Sequence, residues 1–415
     1  MMLKFKDYTS TQMNANYDIL IVGGGAAGFF TAINIAEKNA TLKIAILERG
    51  KDVLTKVRIS GGGRCNVTHA CFVPNELVKN YPRGEKELKG PFNTFCSGDT
   101  IEWFEKRNVA LKIEDDGRMF PVSDSSQTII DCFLSETKKY GIQVLTNQSV
   151  QSIFKTTDYW KVETNVENFA CQKLIMTTGS NPKIWEMLSQ MHHKIVDAVP
   201  SLFTFNITDK RIKDLMGLSA FANVKVKNST LQASGPLLIT HWGMSGPGIL
   251  KLSAWGAIEL AAKKYQFAIE VNWLNDLETS EVIAILKELK LEHAKKVVSK
   301  KSPFELPNRL WEKIVAAATI EPDTKWADLN KSYIQNLALQ LTNSAFQVNG
   351  KSTYKDEFVT AGGIDLKEIN FKTMESKLHK NLFFAGEIVN IDAITGGFNF
   401  QNAWTSGIVV ANAIA

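Results

Sequence analysis

Gly23, Gly25 and Gly28, with Ala27 among them, follow directly on the apolar run Tyr17–Val22 in a G-x-G-x-x-G spacing. An unbroken, β-branched run of that length reads as a parallel strand buried on both faces. At the turn from such a strand into a helix each glycine has a purpose: a tight bend, close backbone approach to a pyrophosphate, and close helix–sheet packing. The helix that follows presents unpaired N–H groups and a partial positive charge to a diphosphate. Glu48 closes a second apolar run, Ile44–Leu47, twenty residues after Gly28. A carboxylate there can accept hydrogen bonds from an adenosine ribose. Strand, glycines, helix, strand and terminal acid together specify binding of a dinucleotide.

Other clusters carry the same kind of chemistry. Lys56, Arg58 and Ser60-Gly61-Gly62-Gly63-Arg64-Cys65-Asn66 combine cations with consecutive glycines. That pattern predicts an irregular second loop approaching a phosphate or a flavin, with a mobile surface loop as the alternative. Thr178-Gly179 ends a third buried run, and Gly386-Glu387 ends a fourth. Gly396-Gly397 then precedes Asn399, Phe400 and a final helix, repeating the opening logic. Thr240-His241-Trp242-Gly243-Met244-Ser245-Gly246-Pro247 is a further constrained loop. Its histidine suits proton donation near neutral pH or, alternatively, shapes the loop through backbone bonds. Cys65 beside Arg64 offers a thiol with a lowered pKa or, alternatively, a small residue for a crowded turn.

The elements that must position these residues divide the chain. Both ends read as one α/β, Rossmann-like domain over 17–194 and 350–415, preceded by a polar extension at 1–16. Short β-like runs with intervening turns over 195–277 and 342–349 read as an inserted, mostly antiparallel, barrel-like domain. Residues 278–341 read as a small helical subdomain, whose lysines 290, 295, 296, 300 and 301 read as a solvated face.

The hydrophobic share of 44% and charged share of 22% are those of a globular protein. A net charge of +5 over 415 residues suits an anionic cofactor and does not by itself argue for nucleic acid, which, with no Lys/Arg block of five or more, is expected to be an unlikely partner. Five cysteines without C-x-x-C spacing indicate neither a disulfide framework nor a metal site. No apolar leader or run of 18 apolar residues is seen, so a cytoplasmic protein without a membrane span is expected.

These motifs together resemble the BaiN-like (YhiN-type) family of FAD-dependent flavoproteins. They are Gly23–Gly28 with Glu48-Arg49, Ser60–Asn66, Thr240–Pro247, Thr360–Gly363 with Thr373–Lys377, and Phe384–Glu387 with Thr395–Asn399, of which Ser60–Asn66 and Ser245-Gly246-Pro247 are specific. The resemblance implies FAD as cofactor, a discontinuous FAD domain with inserted β and helical parts, and redox activity often described as NAD(P)/FAD-dependent. It also implies that Glu48 and Arg49 meet the adenosine end, Val150 the adenine, Thr178-Gly179 the dinucleotide and Gly386-Glu387 the ribityl chain. The family usually has Asn at the position of His69, and Asp and Gly near Asn390 and Ala393; those departures bear on substrate or redox tuning.

No second G-x-G-x-x-G follows a strand, so NAD(P)H is expected only as a transient donor. The function expected is an FAD-dependent oxidoreductase moving hydride to a small unsaturated or carbonyl substrate. The alternatives are a non-enzymatic flavin-binding redox sensor and a folate- or tRNA-linked flavoenzyme. Oligomeric state is left open.

Overall fold

The computed structural model describes residues 17–352 and 359–414; the polar extension 1–16 lies outside them. The chain forms two compact units. One comprises residues up to 198, 362–392 and 396 onward; the other comprises 199–361 and 393–395.

The first unit is built on a sheet of nine strands among the described residues. At its centre β1 (Tyr17–Val22) lies between β2 (Ile44–Leu47) and the strand Asn168–Met176, parallel to both. Leu382–Phe384 and Gln143–Leu145 extend the parallel array on either side. All four residues of β2, and Ile19 to Val22 of β1, are buried, which is why those runs are continuous in apolar residues. Helix α1 (Ala26–Lys38) covers one face and packs against the C-terminal helix Phe398–Ile414. Small residues permit that close approach: a methyl on Gly407 would stand 2.8 Å from Thr31 Oγ1. Phe30, Trp103, Phe133 and Trp404 fill the adjoining core with ring contacts between 4.6 and 5.8 Å.

The carboxyl ends of five parallel strands therefore point the same way. Gly23, Glu48, Thr146, Thr177-Thr178 and Ala385-Gly386 all sit just past them, where open α/β sheets bind ligands.

Among the described residues of the second unit seven strands form a sheet, antiparallel in each pairing described. Ser219–Val226 and Gln232–Ile239 form its long hairpin, and their alternating burial matches a sheet with one covered face. Helices Pro247–Trp255 and Ala257–Ala262 interrupt the β-rich stretch. Helices Thr279–Glu292, Asn308–Ala317 and Lys331–Thr342 share one continuous core with the sheet, from Phe205 and Ile239 to Trp311 and Leu337. The spacing of Ile285, Leu286 and Leu289 predicts a helix over 278–299; it stops at Glu292 and resumes only as one 3₁₀ turn, Val298–Lys300.

Candidate functional site

The three motif glycines of the first unit have different physical reasons. Gly23 holds φ +119°, and a methyl there would stand 2.5 Å from the Thr177 carbonyl oxygen. At Gly28 a methyl would come within 2.0 Å of the Gly23 oxygen, because the first turn of α1 presses onto the loop. Gly25 is the exception. Its backbone (φ −96°, ψ −169°) suits any residue, and a methyl would meet no protein atom within 4 Å. Nothing in the chain's own packing demands glycine there; close approach of a diphosphate does. Gly25 is also the N-cap of α1, without a side-chain cap and with no acid in the first turn, so the positive end of the helix is not neutralised from within.

Glu48 is held by the same loop. Its Oε2 accepts from the Gly24 N–H (2.9 Å) and Oε1 from the Gly50 N–H (2.8 Å). Each oxygen keeps a lone pair for a ribose hydroxyl. Arg49 is exposed. The backbone of Glu48 accepts from Gln148, which leads into buried Val150 and so brings that residue near the same edge.

Helix α2 (Thr55–Gly63) is regular through Ile59, so Lys56 and Arg58 ride on a helix and not in the loop expected for them. The loop begins at Ser60 (ψ 147°) and runs left-handed through Gly61, Gly62 and Gly63, with φ of 58°, 69° and 86°. The cations expected to surround a ligand have partners in the protein. Lys56 pairs with Glu387 at 2.5 Å, and Arg58 donates to Gln127. Arg64 pairs with Glu114 and lies over the Phe120 ring, 3.9 Å from its centre. Anion binding at this end must then come from backbone N–H groups.

Cys65 is fully buried and its thiol is pushed up to about 12 by desolvation, against a weaker lowering bond from Ser60. It is a neutral thiol at physiological pH, which favours the packing reading over the redox one. Asn66, with its amide turned so that both ends are satisfied, donates to Thr68 O and accepts from the Gly397 N–H at 2.9 Å. Gly397 (φ +91°) lies so close to the Thr68 carbonyl that a methyl would sit 2.5 Å from it. Asn66, Thr68, Gly396 and Gly397 thus form one cradle at the start of the C-terminal helix, with Asn399 and Phe400 in its first turn. Gly386 donates its N–H to Ser406 of that helix at 2.9 Å, and Glu387 comes within 3.6 Å of where a Gly179 methyl would stand.

Two features were not singled out as site residues from sequence. The His69 ring stacks on Phe398 at 4.6 Å, and burial lowers its pKa against the bond to Asp116 O. Asp392, fully buried, pairs with Arg83. The only signal was an acid set in an apolar stretch. His241 belongs to the second unit, in an exposed turn between Gln232–Ile239 and Gly243–Ser245. No hydrogen bond to its ring is present among the described residues, whereas Gly243 is packed so closely that a methyl there would stand 2.2 Å from Phe205 O.

The model of the HI0933-like protein Rossmann domain matches residues 17–413. The chain belongs to the HI0933-like family. Among relatives of this HI0933-like protein, the ribosomal RNA dihydrouridine synthase of Escherichia coli is 28% identical, over 94% of this chain and 96% of its own. The one from Haemophilus influenzae is 27% identical, over 95% and 98%. The 3-dehydro-bile acid delta(4,6)-reductase of Clostridium scindens is 21% identical, over 95% and 98%. Among solved structures, the 3-ketosteroid-delta4-(5alpha)-dehydrogenase of Rhodococcus jostii superposes with a TM-score of 0.50 at 12% identity, covering 97% of this chain and 98% of that one. That likeness supports the fold alone.

The resemblance drawn from the motifs is thereby borne out, and with it the FAD-dependent oxidoreductase class. The residues fit an FAD: Gly25 needs a ligand to explain it, Thr178 Oγ1 and Asn390 Oδ1 are buried without a partner among the described residues, and two helices begin at glycine loops. The names of the first two relatives weigh against the expectation that nucleic acid is an unlikely partner. A small net charge is an average over the surface and does not report how lysines are segregated. Among the described residues no helix is long and apolar enough to cross a membrane.

Proposed function

We propose that this HI0933-like protein is an FAD-dependent reductase that saturates the C5–C6 double bond of a uridine in ribosomal RNA. The observation that carries this reading is the match, nearly end to end in both chains, to two ribosomal RNA dihydrouridine synthases at 28% and 27% identity. The more distant relative supports the chemistry from another side. Dihydrouridine formation and bile acid delta(4,6)-reduction both add hydrogen across a carbon–carbon double bond conjugated with a carbonyl. Hydride goes to the β-carbon and a proton to the α-carbon.

FAD, when bound, supplies the hydride. The chain's residues do the rest. Gly25 and the first turn of α1 receive the diphosphate, and Glu48 accepts from the ribose hydroxyls. The N-terminus of Phe398–Ile414, cradled by Asn66 and Gly397, favours negative charge at the pyrimidine side of the flavin. Gly386 and Glu387, the latter paired with Lys56 and close to Gly179, would meet the ribityl chain. His241 is the candidate proton donor to the α-carbon, its ring making no hydrogen bond among the described residues. NADH or NADPH would supply the reducing equivalents.

The test is mass spectrometry of nucleosides from unmodified ribosomal RNA incubated with the flavin-loaded protein and NADH or NADPH. The expected result is dihydrouridine, heavier than uridine by two hydrogens. A protein that leaves the RNA unchanged but reduces a steroid-like enone would move the assignment to the bile acid relative's chemistry.

A further inference from the structure

The helices Thr279–Glu292 and Lys331–Thr342 pack side by side and leave a groove of about 390 Å³ between them. Its floor is apolar, from Ile283, Leu329 and Ile334, and its rim carries Lys287, Lys290 and Lys331. No carboxylate lines it. The acids of the first helix, Glu281, Glu288 and Glu292, fall on other faces. None of the three lysines forms an ion pair among the described residues, although surface lysines elsewhere in this chain commonly do, as Lys79, Lys106 and Lys263 show. Lys290 is half-buried and donates to Leu329 O at 2.6 Å, which fixes its ammonium at the rim with two protons left to give.

Unpaired ammonium groups around an apolar trough, with carboxylates kept out, match a polyanion that also carries flat apolar surface. We infer that this groove binds the RNA substrate: the rim lysines contact phosphates, and the floor receives a sugar or an unstacked base. The inference rests on the ribosomal RNA reading above and adds to it a place on the protein that holds the nucleic acid. It also accounts for how a chain of small net charge engages RNA. The cations are collected around one groove and, among the described residues, kept out of ion pairs.

The experiment compares the flavin-loaded wild type with K287E/K290E/K331E and with K287E/K331E, the latter sparing the half-buried Lys290. Affinity for a ribosomal RNA fragment is measured across a salt series, with flavin content and melting temperature as controls of the fold. Three lost phosphate contacts should lower the slope of log affinity against log salt by roughly two to three, and two contacts by roughly 1.4 to 1.8. Flavin content should not change. Unaltered slopes in variants that remain folded, while the wild type forms dihydrouridine, would overturn the groove and leave the function standing. Groove-dependent binding by a wild type that forms no dihydrouridine would overturn the function and leave the groove. A wild type without salt-dependent RNA binding would overturn both.

Discussion

Gly25 and Gly28 share one motif yet should fail differently when changed to alanine. A methyl at Gly28 collides with the Gly23 carbonyl at 2.0 Å, so the helix must move and the apoprotein should melt at a lower temperature. A methyl at Gly25 meets no protein atom within 4 Å, so the apoprotein should keep its stability within about 0.5 kcal/mol while flavin affinity falls. Calorimetric melting of the two apoproteins, beside flavin titrations, separates fold from ligand. Glu48→Ala should weaken FAD on the order of ten- to a hundredfold, the worth of a hydrogen bond to a charged group. Because Glu48 also accepts from Gly24 and Gly50, Glu48→Gln should lose less than Glu48→Ala in flavin fluorescence titration. Cys65→Ser should leave stopped-flow reduction of the flavin intact, since a thiol pushed up to about 12 is not the reacting species. At this scale the glycines and Glu48 were legible because their roles are set within one short βαβ unit. His69 and Asp392 were not, because Phe398 and Arg83, which give them meaning, are far away in the chain.

Between residue and molecule lies a buried polar cluster joining segments remote in sequence. His193 has Nδ1 at 2.9 Å from Glu368 and Nε2 at 3.1 Å from Ser376 Oγ. Ser376 Oγ also accepts from the N–H groups of Leu378 and His379, so its proton goes to Nε2, and Nδ1 donates to the carboxylate. This accounts for part of the Thr373–Lys377 motif without invoking a ligand. Burial lowers the His193 pKa and outweighs Glu368, which acts to raise it. A lowered folded-state value means that the unfolded chain takes up the proton first as pH falls. The cluster's stability is therefore fully present above the ordinary imidazole value near ~6.5 and is lost as pH drops through the lowered one. His69 adds to the effect with the same sign. Melting temperature should fall between pH 7.5 and pH 5, with a slope of up to about 1.4 kcal/mol per pH unit for each histidine. His193→Gln should flatten that profile; a profile as steep as the wild type's would show that the acid sensitivity lies elsewhere. Sequence reading found the strands around this cluster from their apolar runs. It misjudged helix extents where tertiary packing intervened: Thr55–Ile59 is helical despite the glycines that follow, and the helix from Thr279 ends early at Glu292.

At the scale of the whole chain, the glycine clusters at both ends implied one domain made from two distant segments, since each alone leaves strands without neighbours. β1 lies beside the strand Asn168–Met176, and that strand pairs in turn with Leu382–Phe384. The sheet cannot be completed without the C-terminal segment. The cofactor-binding candidates from Gly23 to Phe400 all fall in the first unit, and the second has its own core from Phe203 to Val348. The chain leaves the first unit along Ile195–Pro200 and returns along Thr360–Ile364, two strands that pair with each other. Next to them the Ser201 N–H donates to Val359 O at 2.9 Å. Ends so close can be joined by a two-residue turn with little loop-closure cost. Replacing residues 202–358 with Asn-Gly should then yield a folded, yellow protein that binds FAD within about tenfold of the full chain, a difference of about 1.4 kcal/mol. It should no longer form dihydrouridine, having lost His241 and the lysine-rimmed groove together. Flavin titration and nucleoside mass spectrometry on this variant read the two halves of that expectation separately. A colourless, aggregated product would show that the first unit does not fold alone; a yellow product that still modifies RNA would remove the second unit from substrate handling.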